Sequence, residues 1–515
     1  MATDRRKDPT ADWVAHYGST TPRAIALRNH ESGETRTWAE LDKRVGRLAH
    51  VLRNELGVQR GDRIVNLSNG DLRHFEFQFA CLRAGLIWAP LNFRLTPTEL
   101  AGLCEDLQPA LMVTDEAWGA NARHASGLLS RPPRTLTWGR GSELDAMIDR
   151  APAFAEPEEI DPDAPLLILF TSGTTGKPKA AVITAGALGW QALNQLQFCG
   201  NAESGSHVFL PLPLFHSGGL NSQANPVLYF GGQVTVAPRF NPDVVVQFVG
   251  DPANKVTHLG LVPVMYKMMS ESPAFAGADF RYLRNLLVAG GRLPEALRQT
   301  YASKGAHFMS QYGGTETGPT ITSLNGARVD KLSAGSCGQR ALHVQIRLVD
   351  EAGNDVPQGE PGEVWVRGPA VIKRYYGRDP EIDFPGGWFH TGDVAWEDEE
   401  GFLYIVDRVK DMYKSGGENV YPAEVELMLA THPAIAEVSV IGVSDEQWGE
   451  VGLAVAVVRE GQDLTLESLR THCEAKLAHF KHPKHLVVVE ELPRNVTGKV
   501  AKQALREIFH GTRSA

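Results

Sequence analysis

Leu166-Leu167-Ile168-Leu169-Phe170-Thr171-Ser172-Gly173-Thr174-Thr175-Gly176-Lys177-Pro178-Lys179-Ala180-Ala181-Val182-Ile183 is the stretch whose reading decides the fold. Two short apolar runs bounded by turn residues read as buried strands. The segment between them, Thr171–Lys179, is an exposed loop with two glycines, four hydroxyl residues and two lysines. Glycines let backbone N–H groups approach an anion, hydroxyls add donors and lysines add positive charge. That composition suits a polyphosphate. It departs from the G-x-x-x-x-G-K-[ST] loop, because Thr171 stands where the first glycine belongs and Pro178 follows Lys177. Read alone, the loop is also compatible with a flexible polar hairpin.

The chain around it has 515 residues, too many for one ordinary core, so two or more domains are expected. With 43% hydrophobic and 22% charged residues it reads as globular. A formal net charge of −10 argues against a broad nucleic-acid footprint but leaves room for a local basic pocket. The polar start, Met1 to Asp12, lacks the apolar core of a secretory signal, and no apolar run approaches membrane-spanning length. Five cysteines (Cys81, Cys104, Cys199, Cys337, Cys473) lack C-x-x-C spacing. Reduced thiols in a cytoplasmic protein are the expectation.

Helix and strand signals alternate from the start. Apolar residues at helical spacing run from Trp38 to Leu56 and stop at Gly57; Arg63 to Leu67 reads as a strand; Asp71 to Ala84 reads as a helix closed by Gly85. Thr96-Pro97-Thr98-Glu99 is a helix start with its own cap. This βαβ rhythm predicts parallel sheets covered by helices, and it resumes after the loop up to the strand His307–Gln311 and Tyr312-Gly313-Gly314-Thr315-Glu316. Near Ser336 turns and period-two stretches predict a small antiparallel barrel or meander. The last hundred or so residues read as one compact α+β unit. The fold class expected is a large α/β N-terminal domain, residues 1–408, with a small barrel-like subdomain, followed by a small α+β C-terminal domain, residues 409–515.

Five sites in this order, Thr171–Lys179, Tyr312–Glu316, His390–Asp393, Asp407–Glu426 and Asn495–Lys499, resemble the acyl-adenylate-forming (AMP-binding) superfamily, on its acyl-CoA synthetase branch. The resemblance covers nearly the whole chain. It implies an ATP- and Mg²⁺-dependent ligase with coenzyme A as co-substrate. Attack of a carboxylate on the α-phosphate of ATP gives an acyl-AMP and pyrophosphate, and CoA then displaces AMP. Such transfers demand positioning and charge neutralisation.

The resemblance also assigns roles. Thr171, Ser172, Gly173, Thr174, Thr175, Gly176, Lys177 and Lys179 would cradle the β- and γ-phosphates. Glu316 would hold Mg²⁺, which needs few protein carboxylates when phosphates share the metal. Thr315 would contact the α-phosphate, Tyr312 would stack near adenine, and Gly290, Gly291, Gln311, Gly313 and Gly314 would line the nucleotide. Asp393 would accept hydrogen bonds from the ribose hydroxyls and Arg408 would donate to the ribose. Lys499 would bridge carboxylate and α-phosphate during adenylation. Lys410 matches the hinge about which related enzymes rotate the small domain between half-reactions. Ser415, Gly416 and Gly417 would then flank the pantetheine arm of CoA.

The acyl end is read from His216, Gly218, Ser222 and Gly314, with Gly219, Asn221 and Gln223 nearby. A roomy site with a few polar groups suits a medium-chain fatty or aromatic acid better than acetate. Arg292, after the glycine pair, either faces solvent or meets a second anionic group. Transfer of the acyl group to a carrier protein's thiol, a luciferase-like oxygenation and plain nucleotide binding are the alternatives. A homodimer is compatible with everything above, and a nucleic-acid partner is not expected.

Overall fold

The computed structural model describes residues 12–152, 160–171, 178–199, 205–288, 293–324, 328–416, 418–474, 477–494 and 499–509. Tertiary contacts divide the chain into two units. One joins Met1–Gln345 with Val366–Phe389, and the other joins Ile346–Trp365 with His390–Ala515.

The first unit carries strands β1 (Ile25–Asn29), β2 (Thr35–Thr37), β3 (Arg63–Leu67), β4 (Ile87–Pro90), β5 (Leu111–Thr114), β6 (Arg134–Thr137), β7 (Pro165–Thr171) and β8 (Lys179–Thr184). The last six form one sheet in the order β6-β5-β3-β4-β7-β8. All of its pairings are parallel except β7–β8, where Thr171 sits opposite Lys179. The strand–loop–strand reading is therefore a hairpin at a sheet edge. Its strands are apolar because Leu166–Leu169 and Ala180–Ile183 are buried.

After the helix Ala185–Cys199 come β9 (His207–Leu210), β10 (Gln233–Val236), β11 (His258–Leu261), β12 (Asn285–Val288), β13 (Phe308–Gly314), β14 (Gly318–Leu324) and β15 (Gly338–Arg340). They build the second sheet of this unit in the order β15-β14-β13-β12-β11-β9-β10-β1-β2. Its middle is parallel, and β13 turns back antiparallel into β14. Under β11–β13 lies an aromatic core of Tyr266, Phe275, Phe280, Tyr301 and Phe308. The Tyr266 hydroxyl donates to the Leu287 carbonyl at 2.7 Å, and Tyr301 donates to the Tyr266 carbonyl at 2.9 Å. Buried tyrosines are kept where their hydroxyls find such partners; the first ties the helix Pro263–Ser270 to β12, and the second ties the helix Glu295–Ala302 to that helix.

Local signals act as read. Thr96 Oγ1 accepts from the Glu99 N–H while Glu99 Oε2 accepts from the Thr96 N–H at 2.8 Å. Thr37 and Glu40 form a second such box, which starts the helix Trp38–His50. That helix does not run unbroken to Leu56 as its spacing predicts. It loosens into a π-turn at Val51–Glu55. Gly85 ends the helix Arg73–Ala84 with φ of 64°, the left-handed conformation that closes helices. Cys81, Cys104, Cys337 and Cys473 are buried and not disulfide-bonded.

The second unit holds β16 (Gln345–Val349), β17 (Gly362–Arg367), β18 (Phe389–Glu397) and β19 (Phe402–Arg408), neighbours in that order. The turn-rich stretch is thus a meander and not a closed barrel. Beyond it, β20 (Tyr413–Ser415), β21 (Glu418–Val420), β22 (Ile435–Asp445), β23 (Gly449–Val458) and β24 (His485–Val488) make a separate small sheet. Helices Pro422–Leu429 and Leu466–Glu474 pack on it through Val425, Leu429, Leu469 and Cys473. The α/β large part and the small α+β part expected from the sequence are both present. Among the described residues no helix is long and apolar enough to cross a membrane.

Candidate active site

In the first unit the hairpin β7–β8 and the turn Thr315–Thr317 meet. Thr171 Oγ1 donates to Glu316 Oε1 at 2.9 Å, and the Tyr375 hydroxyl donates to the same oxygen at 2.9 Å. The Ile372 N–H donates to the Glu316 carbonyl at 2.8 Å, which ties the segment bearing Tyr375 to this turn. Burial, then the neighbouring Glu316 charge, push the Tyr375 hydroxyl upward, so it stays a donor. Glu316 Oε2 makes no hydrogen bond among the described residues. A hard carboxylate oxygen in that condition beside a threonine hydroxyl suits Mg²⁺. No group of three or more His, Cys, Asp or Glu able to hold a metal occurs among the described residues.

Lys179 lies at the same end of the hairpin, opposite Thr171. Its Nζ pairs with Asp383 at 3.1 Å and sits 4.8 Å from the Tyr375 ring centre. Asp383 also takes Arg378 at 2.7 Å, and these cations hold its carboxyl below the usual range against the opposing effect of burial. Ser172, Gly173, Thr174, Thr175, Gly176, Lys177, Gly290, Gly291, Arg292 and Gly417 lie outside the described residues.

Gln311 anchors the other side of β13. Its Nε2 donates to Ser222 Oγ at 2.6 Å, and its Oε1 accepts from Gln195 at 2.9 Å and from Thr320 at 2.9 Å. Tyr312 follows on the same strand, opposite Thr322. Gly313 is indispensable for steric reasons, since a Cβ there would meet the Gly318 carbonyl oxygen at 2.4 Å. Gly314 donates to Thr317 Oγ1 at 2.8 Å and has room, its nearest neighbour for a Cβ being Glu316 Oε2 at 3.6 Å.

His216 opens a short helix, Ser217–Gly219, that passes into a π-helical turn, Leu220–Ala224. Burial and the nearby Arg94 lower the His216 pKa to about 4, so the ring is neutral at pH 7. Among the described residues its Nε2 is buried without a hydrogen-bond partner, as are Ser217 Oγ and Asn221 Nδ2. A Cβ on Gly218 would meet open space.

The second unit groups three of the other expected residues. Asp393 and Arg408 are register partners in β18 and β19, and Arg408 Nε lies 2.9 Å from Asp393 Oδ1. Lys499 is an exposed residue, yet desolvation and then the Arg408 charge lower its pKa, with Asp393 opposing. These effects place Lys499 close to the Asp393–Arg408 pair. Lys410 sits in the turn after β19, where the Asp411 N–H donates to the Arg408 carbonyl at 2.9 Å. Ser415 is buried, and Gly416 adopts φ of 61° with its N–H on the Trp448 carbonyl at 2.8 Å.

Comparison with known proteins decides what this arrangement belongs to. The AMP-binding enzyme family model matches residues 14–376, and the model of that family's C-terminal domain matches residues 424–499. The chain belongs to the AMP-binding enzyme family. A feruloyl-CoA synthase of Amycolatopsis is 37% identical over 508 residues, 98% of this chain and 100% of that protein. An indoleacetate–CoA ligase of Aromatoleum aromaticum is 34% identical, covering 97% of this chain and 98% of that one. Among solved structures, ATP-bound MatB of Rhodopseudomonas palustris superposes with a TM-score of 0.87 at 29% identity, covering 97% and 99% of the two chains. These likenesses place this AMP-binding enzyme on the acyl-CoA synthetase branch, as the order of its five sites predicts.

Two residues of this AMP-binding enzyme's site escape sequence reasoning. Tyr375 lies in the connection between β17 and β18, and only its burial (3% exposed) and its bond to Glu316 single it out. Gln195 lies on the helix Ala185–Cys199, where Gln191, Asn194 and Gln195 share one face and are all buried. A polar stripe at helical spacing in an otherwise apolar helix is the signal that could have found it.

Proposed function

We propose that the protein joins an aromatic or medium-chain carboxylic acid to coenzyme A. The acid and ATP give acyl-AMP and pyrophosphate; acyl-AMP and CoA then give acyl-CoA and AMP. The observation that carries the reading is the meeting of Thr171, at the mouth of the phosphate loop, with Glu316 at 2.9 Å. Glu316 and Thr171 would hold Mg²⁺, which when bound neutralises phosphate charge as pyrophosphate leaves. Tyr375 fixes the rotamer of Glu316. Thr315 and the loop hydroxyls orient the phosphates, while Gln311, Tyr312 and the glycines of β13 receive the adenosine side. His216, neutral, borders the carboxylate end of the acid.

Asp393 and Arg408 bind the ribose, and Lys499 supplies the cation between carboxylate and α-phosphate. Lys410 is the hinge between residues 1–408 and 409–515, supported by its place in the short turn after β19. Ser415, Gly416 and Gly417 form the CoA side, supported by the left-handed Gly416, which leaves the turn without a side chain. We place the enzyme in the cytoplasm, and the assembly to be tested is a homodimer.

The test is pyrophosphate release and free-CoA consumption across short, medium, long-chain, aromatic and dicarboxylic acids. One CoA consumed per pyrophosphate is the expected result. Pyrophosphate release that ignores free CoA would assign the acyl group to a carrier thiol instead. Light scattering reads the assembly.

A further inference from the structure

The helix Ala185–Cys199 turns Gln191, Asn194 and Gln195 to one side, at positions i, i+3 and i+4. All three are at most 3% exposed. Gln195 is engaged: its Nε2 donates to the Ser222 carbonyl at 3.0 Å and to Gln311. That bond ties the helix to the π-helical turn Leu220–Ala224, in which Asn221 precedes Ser222. Asn194 and Asn221 are each 1% exposed.

Neither polar atom of the Asn194 side chain has a hydrogen-bond partner among the described residues, and neither does Gln191 Oε1. The orientation of Asn221 is fixed by its neighbours. Gln78 and Asn225 exchange amide hydrogen bonds at 2.8 and 3.3 Å, and Asn225 Nδ2 donates to Asn221 Oδ1 at 2.9 Å. Asn221 Nδ2 is therefore presented as a donor, and it too is buried and unpaired. Buried amides almost always find partners, because desolvating them without one is unfavourable. Several unpaired amide groups on two elements joined by the Gln195–Ser222 bond mark a place where a ligand supplies the missing bonds.

We propose that Asn194 and Asn221, backed by Gln191, form a polar end-pocket that selects a carboxylic acid carrying a hydroxyl group remote from its carboxylate. A hydroxyl has one O–H to give and lone pairs to accept with. It matches an acceptor at Asn194 and the fixed donor of Asn221. The pocket residues are amides, so a neutral group is favoured over a second carboxylate. A plain alkyl or phenyl end would strand the amides, which is how sites built around a hydroxyl reject analogues that lack it. The inference rests on the ligase reading above and narrows it to a substrate class.

The experiment uses the full chain with Mg²⁺, ATP and CoA, and two matched pairs of acids: 4-hydroxycinnamate against cinnamate, and 8-hydroxyoctanoate against octanoate. In the natural protein the hydroxylated member of at least one pair should show a kcat/KM at least about tenfold higher. Asn194→Leu and Asn221→Leu should each bring that ratio down toward one, with KM for the hydroxylated acid rising. A ratio near one in the natural protein, which needs no variant to be measured, overturns the proposal. So does a ratio that both variants leave intact, since the amides would then hold internal water. Failure of every acid to release pyrophosphate overturns the ligase reading itself. Turnover of all four acids without discrimination overturns only the end-pocket.

Discussion

Thr171 Oγ1 donates to Glu316 Oε1 across 2.9 Å, joining residues 145 positions apart. The strand that enters the phosphate loop and the turn that leaves β13 belong to different sheets of one unit. Their meeting makes Glu316 a carboxylate held at two points, Thr171 and Tyr375, both on Oε1.

Glu316→Gln keeps the shape and removes the charge. Adenylation, measured as pyrophosphate release, should fall by about 10²–10³-fold, the scale for losing one preorganised electrostatic group. Tyr375→Phe removes one hydrogen bond to Oε1. The loss should be about five- to tenfold, near 1 kcal/mol, and should appear in a Mg²⁺ titration as a higher half-saturating concentration.

Lys499→Ala should abolish most adenylation while acyl-AMP supplied from outside is still converted to acyl-CoA. The charged form of Lys499 is disfavoured in the free enzyme by desolvation and Arg408. The alkaline limb of kcat/KM should therefore lie below the ordinary lysine range, since that parameter reports the free enzyme. Arg408→Gln should move the limb upward.

Gly313 and Gly314 should answer differently to the same methyl group. Gly313→Ala drives a Cβ into the backbone of Gly318 and Pro319, at 2.4 to 2.6 Å, and should cost about 1–3 kcal/mol in denaturant unfolding. Gly314→Ala makes an ordinary contact and should stay within about 0.5 kcal/mol.

Acid should weaken the fold through buried histidines. His207 donates from Nδ1 to the Asn254 carbonyl at 2.9 Å and has Thr235 Oγ1 2.7 Å from Nε2, so its ring is held neutral. Burial, outweighing the Asn254 bond, lowers its pKa to about 4, and His258 is lowered similarly. Between pH 6.5 and 4 the unfolded chain binds more protons than the native one, so stability falls as pH falls through that window. One such histidine is worth up to about 3 kcal/mol. His207→Gln should flatten the loss in melts recorded from pH 7 to 4.5.

Lys410→Pro restricts the backbone at the assigned hinge. Thioester formation from acyl-AMP should slow by about tenfold or more, with a smaller effect on first-turnover pyrophosphate release. Equal, unaltered rates in both halves would place the hinge elsewhere.

The loop Thr171–Lys179 and the Thr96 cap were legible because their physics is local: composition, spacing and a cap three residues long. The ribose roles of Asp393 and Arg408 were legible only through resemblance, and their pairing not at all, since the register that joins β18 to β19 is a long-range property. Tyr375 was not legible at all. Its role depends on the Ile372 bond to the Glu316 carbonyl, and no periodicity encodes a contact of that kind. The π-turn at Leu220–Ala224 escaped for another reason. Its residues read as a polar stretch near a glycine pair, while their burial comes from the helix Ala185–Cys199 and from β9, β11 and β14 packed against them.

The buried cysteines bear on how the reaction can be watched. Burial pushes the Cys104 thiol up to about 12 and Cys81 higher still, so neither offers a thiolate near neutral pH. Cys337 and Cys473 are also sealed in the interior. A colorimetric thiol reagent added to the native protein should therefore meet little background from these four side chains. The sulfhydryl of coenzyme A then becomes its own reporter, and its disappearance can be followed continuously, without quenching the enzyme or separating products.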